Sequence, residues 1–156
     1  MINTTLCYIF DGERCLLLHR NKKKNDINAK KWIGVGGKFL ENESPDECLL
    51  REVQEETGLT LTRYRYRGIV TFFDGKTEGI FMHLFTADRF EGTLTSCDEG
   101  ELAWMNFEDL FTMPRWAGDD IFLNLIKQDA PFFSLKLTYE GDCLREAVLD
   151  GVKIPI

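Results

Sequence analysis

The chain has no apolar run of about 18 residues, so no membrane-spanning helix is expected. It has no CxxC pair and no Cys/His cluster. Its five cysteines (Cys7, Cys15, Cys48, Cys97 and Cys143) are odd in number and widely scattered. Neither a zinc site nor a disulfide framework follows from that pattern, and reduced thiols in a cytoplasmic protein are the simplest reading. The first residues, Met1-Ile2-Asn3-Thr4-Thr5, lack a basic stretch followed by a long apolar one, so secretion is not expected. Positive charge is also scarce: 19 Lys and Arg stand against 26 Asp and Glu, a formal net charge of −7. Binding to duplex DNA or RNA rests largely on Lys and Arg, so a polymeric nucleic-acid partner is not expected. A small nucleotide is not excluded, because a divalent cation can bridge protein carboxylates and phosphates. Internal repeats and low-complexity tracts are absent too.

What is present fits one domain over residues 1–156. A domain of this size buries about 70% of its unfolded surface, enough for a core without staples. Leu6 to Phe10 reads as a strand, Asp11-Gly12 as a turn and Arg14 to His19 as the returning strand. Asn21 to Lys31 is polar and basic, hence a loop. Tyr64 to Phe73, Ile80 to Ala87 and Glu101 to Asn106 read as further strands. Ile80 to Phe85 is nearly apolar on both faces, as in a strand covered from both sides. Asp119 to Gln128 has helical apolar spacing, and Phe132 to Tyr139 with Cys143 to Leu149 reads as a closing hairpin around Gly141-Asp142. His19 and His83 fall on strands and read as structural. The pattern alone gives a single α/β domain.

One helix carries stronger signals. Ser44-Pro45-Asp46-Glu47 supplies a capping serine, a proline at the first helical position and a capping-box glutamate, and Gly58 supplies the stop. The spacing predicts a helix from Pro45 to Thr57. On it Glu52, Glu55 and Glu56 fall within an arc of about 100°, beside the apolar Leu49 and Val53. Like charges so placed repel by a few tenths of a kcal/mol per pair. A bound Mg²⁺ or Mn²⁺ turns that repulsion into coordination. Alone, such a cluster is usually a solvated acidic face. Here Gly34-Val35-Gly36-Gly37-Lys38 lies upstream, where glycines let backbone approach a ligand closely.

Gly37, Glu43 and the run Arg51-Glu52-Val53-Gln54-Glu55-Glu56-Thr57-Gly58-Leu59 match the signature G-x5-E-x7-R-E-U-x-E-E-x-G-U, with U a bulky aliphatic residue, at every specified position. In this the chain resembles the Nudix hydrolases. Lys31 to Lys38, Cys97-Asp98-Glu99 with Trp104, and Trp116-Ala117-Gly118-Asp119-Asp120 are further similar to the MutT-type 8-oxo-dGTP diphosphatases. The resemblance implies an α/β/α sandwich with a mixed, curved sheet, the carboxylate helix on one face and the C-terminal helix on the other. It implies a Mg²⁺-dependent enzyme (Mn²⁺ being possible) that splits a nucleoside triphosphate into monophosphate and pyrophosphate and sanitises oxidised purine nucleotides. By the same resemblance, the Gly36 carbonyl and Glu52, Glu55, Glu56 and Glu99 are metal ligands, and Glu52 or Glu99 is the base. Arg20 and Lys38 are candidates for the phosphates, and Trp32, Trp116 and Asp119 or Asp120 for the base of the nucleotide. Gly37, Glu43, Arg51 and Gly58 then shape the loop and helix.

Each of these has a plainer reading: solvated cations for Arg20 and Lys38, a surface turn for Glu99, core for Trp116, a helix cap for Asp119. Phe72, Phe73 and Phe81 read as core packing rather than as a pocket. The pattern also departs from part of the family at Ile33, where an asparagine reads the base in some members. Two readings compete with an oxidised-purine enzyme: a Nudix pyrophosphatase for ADP-ribose, a dinucleotide or an ordinary dNTP, and a non-catalytic nucleotide-binding Nudix module. The second fits poorly with a box that keeps every glutamate.

Overall fold

In the computed structural model, residues 1–22, 26 and 28–156 are described. Among these residues nine strands form one mixed sheet: β1 (Ile2–Asp11), β2 (Arg14–His19), β3 (Trp32–Ile33), β4 (Thr60–Phe73), β5 (Ile80–Glu91), β6 (Glu101–Asn106), β7 (Phe133–Glu140), β8 (Cys143–Leu149) and β9 (Val152–Ile154). The order is β3-β2-β1-β5-β4-β7-β8-β9, with β6 also paired to β2. β1 runs parallel to β5 and β4 parallel to β7, and the other pairs are antiparallel. The helices are α1 (Pro45–Thr57) and α2 (Asp119–Lys127), with a 3₁₀ turn over Phe107–Thr112. No helix among the described residues is long and apolar enough to cross a membrane.

Side chains alternate across a strand, so the sheet has two apolar faces. Leu6 and Tyr8 of β1, Leu17 of β2 and Leu84 of β5 point to one, where Phe122, Leu123 and Ile126 of α2 close over them. Cys7 and Ile9, Leu16 and Leu18, and Phe85 point to the other, under Leu49 and Val53 of α1. β5 lies between β1 and β4 with Leu84 and Phe85 both fully buried, as its two-sided apolar run implied. The α/β sandwich is therefore as expected, one helix to each face.

The local signals act as their chemistry requires. Ser44 accepts from the Glu47 amide and Glu47 reaches back to the Ser44 amide, a complete capping box. Gly58 ends α1 at φ 79°, donating its amide to Gln54, and an added Cβ there would meet the Thr93 carbonyl at 2.7 Å. Phe72 is core, but Phe73 and Phe81 are more than a third exposed, against the expectation of packing. They alternate with residues that face α2, and so point to the side of the sheet that α1 leaves bare in this region.

Candidate active site

α1 lies against the Gly34–Lys38 bend, and the bend is held on β1 by backbone bonds: Thr5 N–H to Gly37 O, and Cys7 with Val35 in both directions. That contact requires glycine. At Gly36, φ is 153° and a Cβ would sit 2.0 Å from the Thr5 carbonyl; at Gly37 a Cβ would meet the Glu52 carboxylate at 2.5 Å. The bend thereby brings backbone amides to the helix's acidic face.

Glu56 is buried and accepts from the Gly36 amide at 3.1 Å. Burial, followed by the nearby Glu99 and Glu52 carboxylates, pushes its carboxyl up to about 8, against the pull of the Gly36 hydrogen bond. Glu99, on the loop before β6, is close enough to share a hydrogen bond with it. Arg20, at the end of β2, is pinned there: its Nε donates to Asp26 at 2.6 Å and its Nη1 lies 3.0 Å from Glu99. Glu52 and Glu55 are drawn to Arg51 Nη1, at 2.8 and 3.1 Å, and Glu55 is 60% exposed. Arg51 also grips Glu43 with Nε and Nη2, at 2.6 and 2.8 Å, and donates to the Lys38 carbonyl at 3.0 Å. The guanidinium holds the Glu43 carboxyl down at about 2. Loop and helix are thus one unit, fastened by a fork that lysine lacks.

Among the described residues no three acidic, His or Cys side chains converge on one point. The donor set nonetheless fits a divalent cation. It offers oxygens alone, as hard cations require, and the Glu99 and Glu52 charges add to burial in raising Glu56. Lys38 is exposed, and Arg20 faces carboxylates rather than open solvent.

A second group lies on the α2 side. Trp116 is buried against Phe72 and Tyr139, its ring edge-on to each at 5.1 and 5.0 Å, and its Nε1 donates to Asn28 at 2.7 Å. Lys31 holds its ammonium 4.4 Å above the Trp116 ring. Arg115 forks onto Asp120 at 2.6 and 2.9 Å. Among the described residues Asp119 has no such partner; the cap of α2 is Gly118, and Asp119 is its first residue. Burial, then the Asp120 charge, raises the Asp119 carboxyl to about 8, while Arg115 and Lys31 lower it. Trp32 stacks flat on His19 at 4.5 Å and leans on the α2-side core, whereas Ile33 turns to the α1 side. His83 lies between Tyr66 and Asn3, packed on Phe39, and does not approach the carboxylates through any of these contacts. Sequence reasoning passed over Asp26, Asn28, Lys31 as a ligand contact, and Arg115. All four lie in irregular segments, where no periodicity distinguishes a pointed side chain from a solvated one.

Residues 2–125 match the NUDIX domain family. The chain belongs to that family. Its Nudix relatives include the oxidized purine nucleoside triphosphate hydrolase of Danio rerio, 32% identical over 96% of this chain and 94% of that protein. The mouse protein of the same name is 31% identical over 82% of this chain and 81% of its own length. Among solved structures, the mutator MutT protein from Bacillus halodurans superposes with a TM-score of 0.83 at 27% identity, covering 96% of this chain and 98% of that one. This chain is thus a hydrolase of the Nudix family, whose members use divalent metal ions.

Proposed function

We propose that this Nudix hydrolase cleaves nucleoside triphosphates to monophosphate and pyrophosphate, with Mg²⁺ as its ion and oxidised purine nucleotides, 8-oxo-dGTP among them, as preferred substrates. The observation that carries the chemistry is Glu56, buried on the Gly36 amide and sharing a hydrogen bond with Glu99, with the Glu52 carboxylate against Gly37 on the same bend. Those three side chains, with Glu55 and the Gly36 carbonyl, would hold the ion. When bound, it supplies charge neutralisation of the phosphate chain and a more acidic water. Glu52 or Glu99 takes the proton from the attacking water as the phosphoanhydride bond opens and pyrophosphate departs. Arg51 acts by position: it keeps Glu52 and Glu55 on one side of the helix. Support for an oxidised purine comes from the names of the Danio rerio and mouse relatives, and from an aromatic and carboxyl pair, Trp116 and Asp119, of the kind that stacks on a purine and bonds its edge.

The decisive assay is a panel of 8-oxo-dGTP, dGTP, dATP, the pyrimidine dNTPs, ADP-ribose and a dinucleotide, at equal concentration, with Mg²⁺ or with chelator. The expected result is at least a tenfold higher kcat/KM for 8-oxo-dGTP than for dGTP, abolished by chelation. Equal rates on the two guanine nucleotides, or a preference for ADP-ribose, would reject the sanitising reading.

A further inference from the structure

On the α2 side two polar side chains have no hydrogen bond among the described residues: Lys31, over the Trp116 ring, and Asp119, whose backbone amide donates to the Trp116 carbonyl. Asp119 is 6% exposed, and no hydrogen bond reaches its carboxyl among the described residues. Lys31 is 18% exposed at its side chain, and its nearest carboxylate oxygen, on the 82%-exposed Asp142, is 3.8 Å away, too far for a hydrogen bond. Its three N–H donors therefore have no acceptor among the described residues, only the face of Trp116 at 4.4 Å. Neighbouring polar groups of the same loop and helix are not left so: Asn28 is bonded to the Trp116 Nε1, Asp26 to Arg20, and Asp120 to Arg115. Among the described residues no fully buried side-chain polar atom lacks a partner, so the Lys31 and Asp119 heads keep an opening to solvent through which a ligand can bond them.

We propose that Lys31 is the specificity-determining residue for the base: its ammonium donates to the carbonyl of a keto-purine stacked at Trp116, while Asp119 bonds the rest of that edge. This rests on the reading above that the Trp116 side receives the base. A guanine-type edge presents a carbonyl oxygen at position 6, an acceptor for Lys31, whereas adenine presents an amino group there, which an ammonium repels. Ile33 cannot contribute on this side, because its side chain turns to the α1-side core. Lys31 stands one residue before Trp32, and its four-carbon stem lets the head move from the ring face to the edge of an incoming base. Discrimination between keto and amino purines thus falls to a cation rather than to an amide.

Monophosphates in chelator isolate this step from the metal and from turnover. Calorimetry measures 8-oxo-dGMP and dAMP binding to the wild type, K31M, K31R and W116L. K31M is expected to weaken 8-oxo-dGMP at least tenfold while leaving dAMP within threefold, and K31R is expected to keep the preference. Equal loss for both nucleotides would make Lys31 a general phosphate attractor, and no loss would make it a cap on the tryptophan; either overturns the proposal. W116L separates the two layers. Its expected outcome is loss of binding to both nucleotides. Wild-type binding by W116L removes the base site itself and Lys31's role with it, whereas loss in W116L with an unaltered preference in K31M removes Lys31 alone.

Discussion

Two buried carboxyls are held up to about 8 by similar means but should respond differently to substitution. Glu56 is an acceptor for the Gly36 amide and sits among like charges. Glu56→Gln preserves shape and removes the charge that a cation needs. Melting should stay within about 2 °C of the wild type, while turnover with Mg²⁺ falls by roughly 10²-fold or more, the scale of a positioned acid–base group. Unimpaired hydrolysis by this variant would take the helix out of the mechanism. Asp119 is raised chiefly by burial, so its protonated form belongs to the folded state. Its stabilising contribution is complete below the ordinary carboxyl range near pH 4 and is lost as pH rises to about 8. One proton over that window is worth about 1.4 kcal/mol per pH unit at most. Asp119→Asn removes the titration. Its melting temperature relative to wild type should therefore climb between pH 5 and pH 8, and a pH-independent difference would show that Asp119 is ionised in the fold. Both groups are named in the sequence reading. The physical state of each was not legible there, since it depends on Glu99, more than forty residues from Glu56, and on Lys31 and Arg115.

At the scale of elements, legibility followed how local the cause was. The capping box, the stop at Gly58 and the Leu49–Val53 stripe are contained in one segment, and α1 runs over the expected residues. The hairpin of β7 and β8 was equally readable, because Gly141 takes up φ 62° between two alternating runs. β3 has two residues and β9 three, too short for any period to emerge. α2 was placed correctly, but its buried stripe is Phe122, Leu123 and Ile126, while Ile121 and Leu125 pack only partly; the sheet, not the spacing, sets that phase. The parallel pairing of β1 with β5 joins segments about seventy residues apart and leaves no local trace. The glycine bend shows how such a contact becomes function. Gly37→Ala would place a methyl group 2.5 Å from the Glu52 carboxylate, outside both apolar clusters. The expected variant folds, melts within a few degrees of wild type, and loses metal affinity and kcat together through the displaced Glu52. Normal metal affinity in it would mean that Glu52 stands clear of the ion.

Over the whole molecule, stability and chemistry occupy different places. The two apolar clusters close on either face of the sheet, and α1 contributes Leu49 and Val53 to one of them while its opposite side carries Glu52 and Glu55. Chelation should then stop turnover without unfolding the chain. Ligation should show as added stability in a protein whose net charge is already −7. A ligand that binds only the folded state adds about 2.7 kcal/mol at a hundredfold excess over Kd, or about 5–10 °C for a chain of this length. Uptake must also strip the proton that Glu56 holds near neutral pH, since a metal binds the carboxylate form. Mg²⁺ affinity is accordingly expected to rise between pH 6.5 and pH 8.5. Calorimetry in two buffers of different ionisation enthalpy would count close to one proton released per ion at pH 6.5 and about a quarter of one at pH 8.5. A pH-independent affinity with no proton released would mean that Glu56 is already ionised, and that burial beside Glu99 and Glu52 does not keep a proton on it.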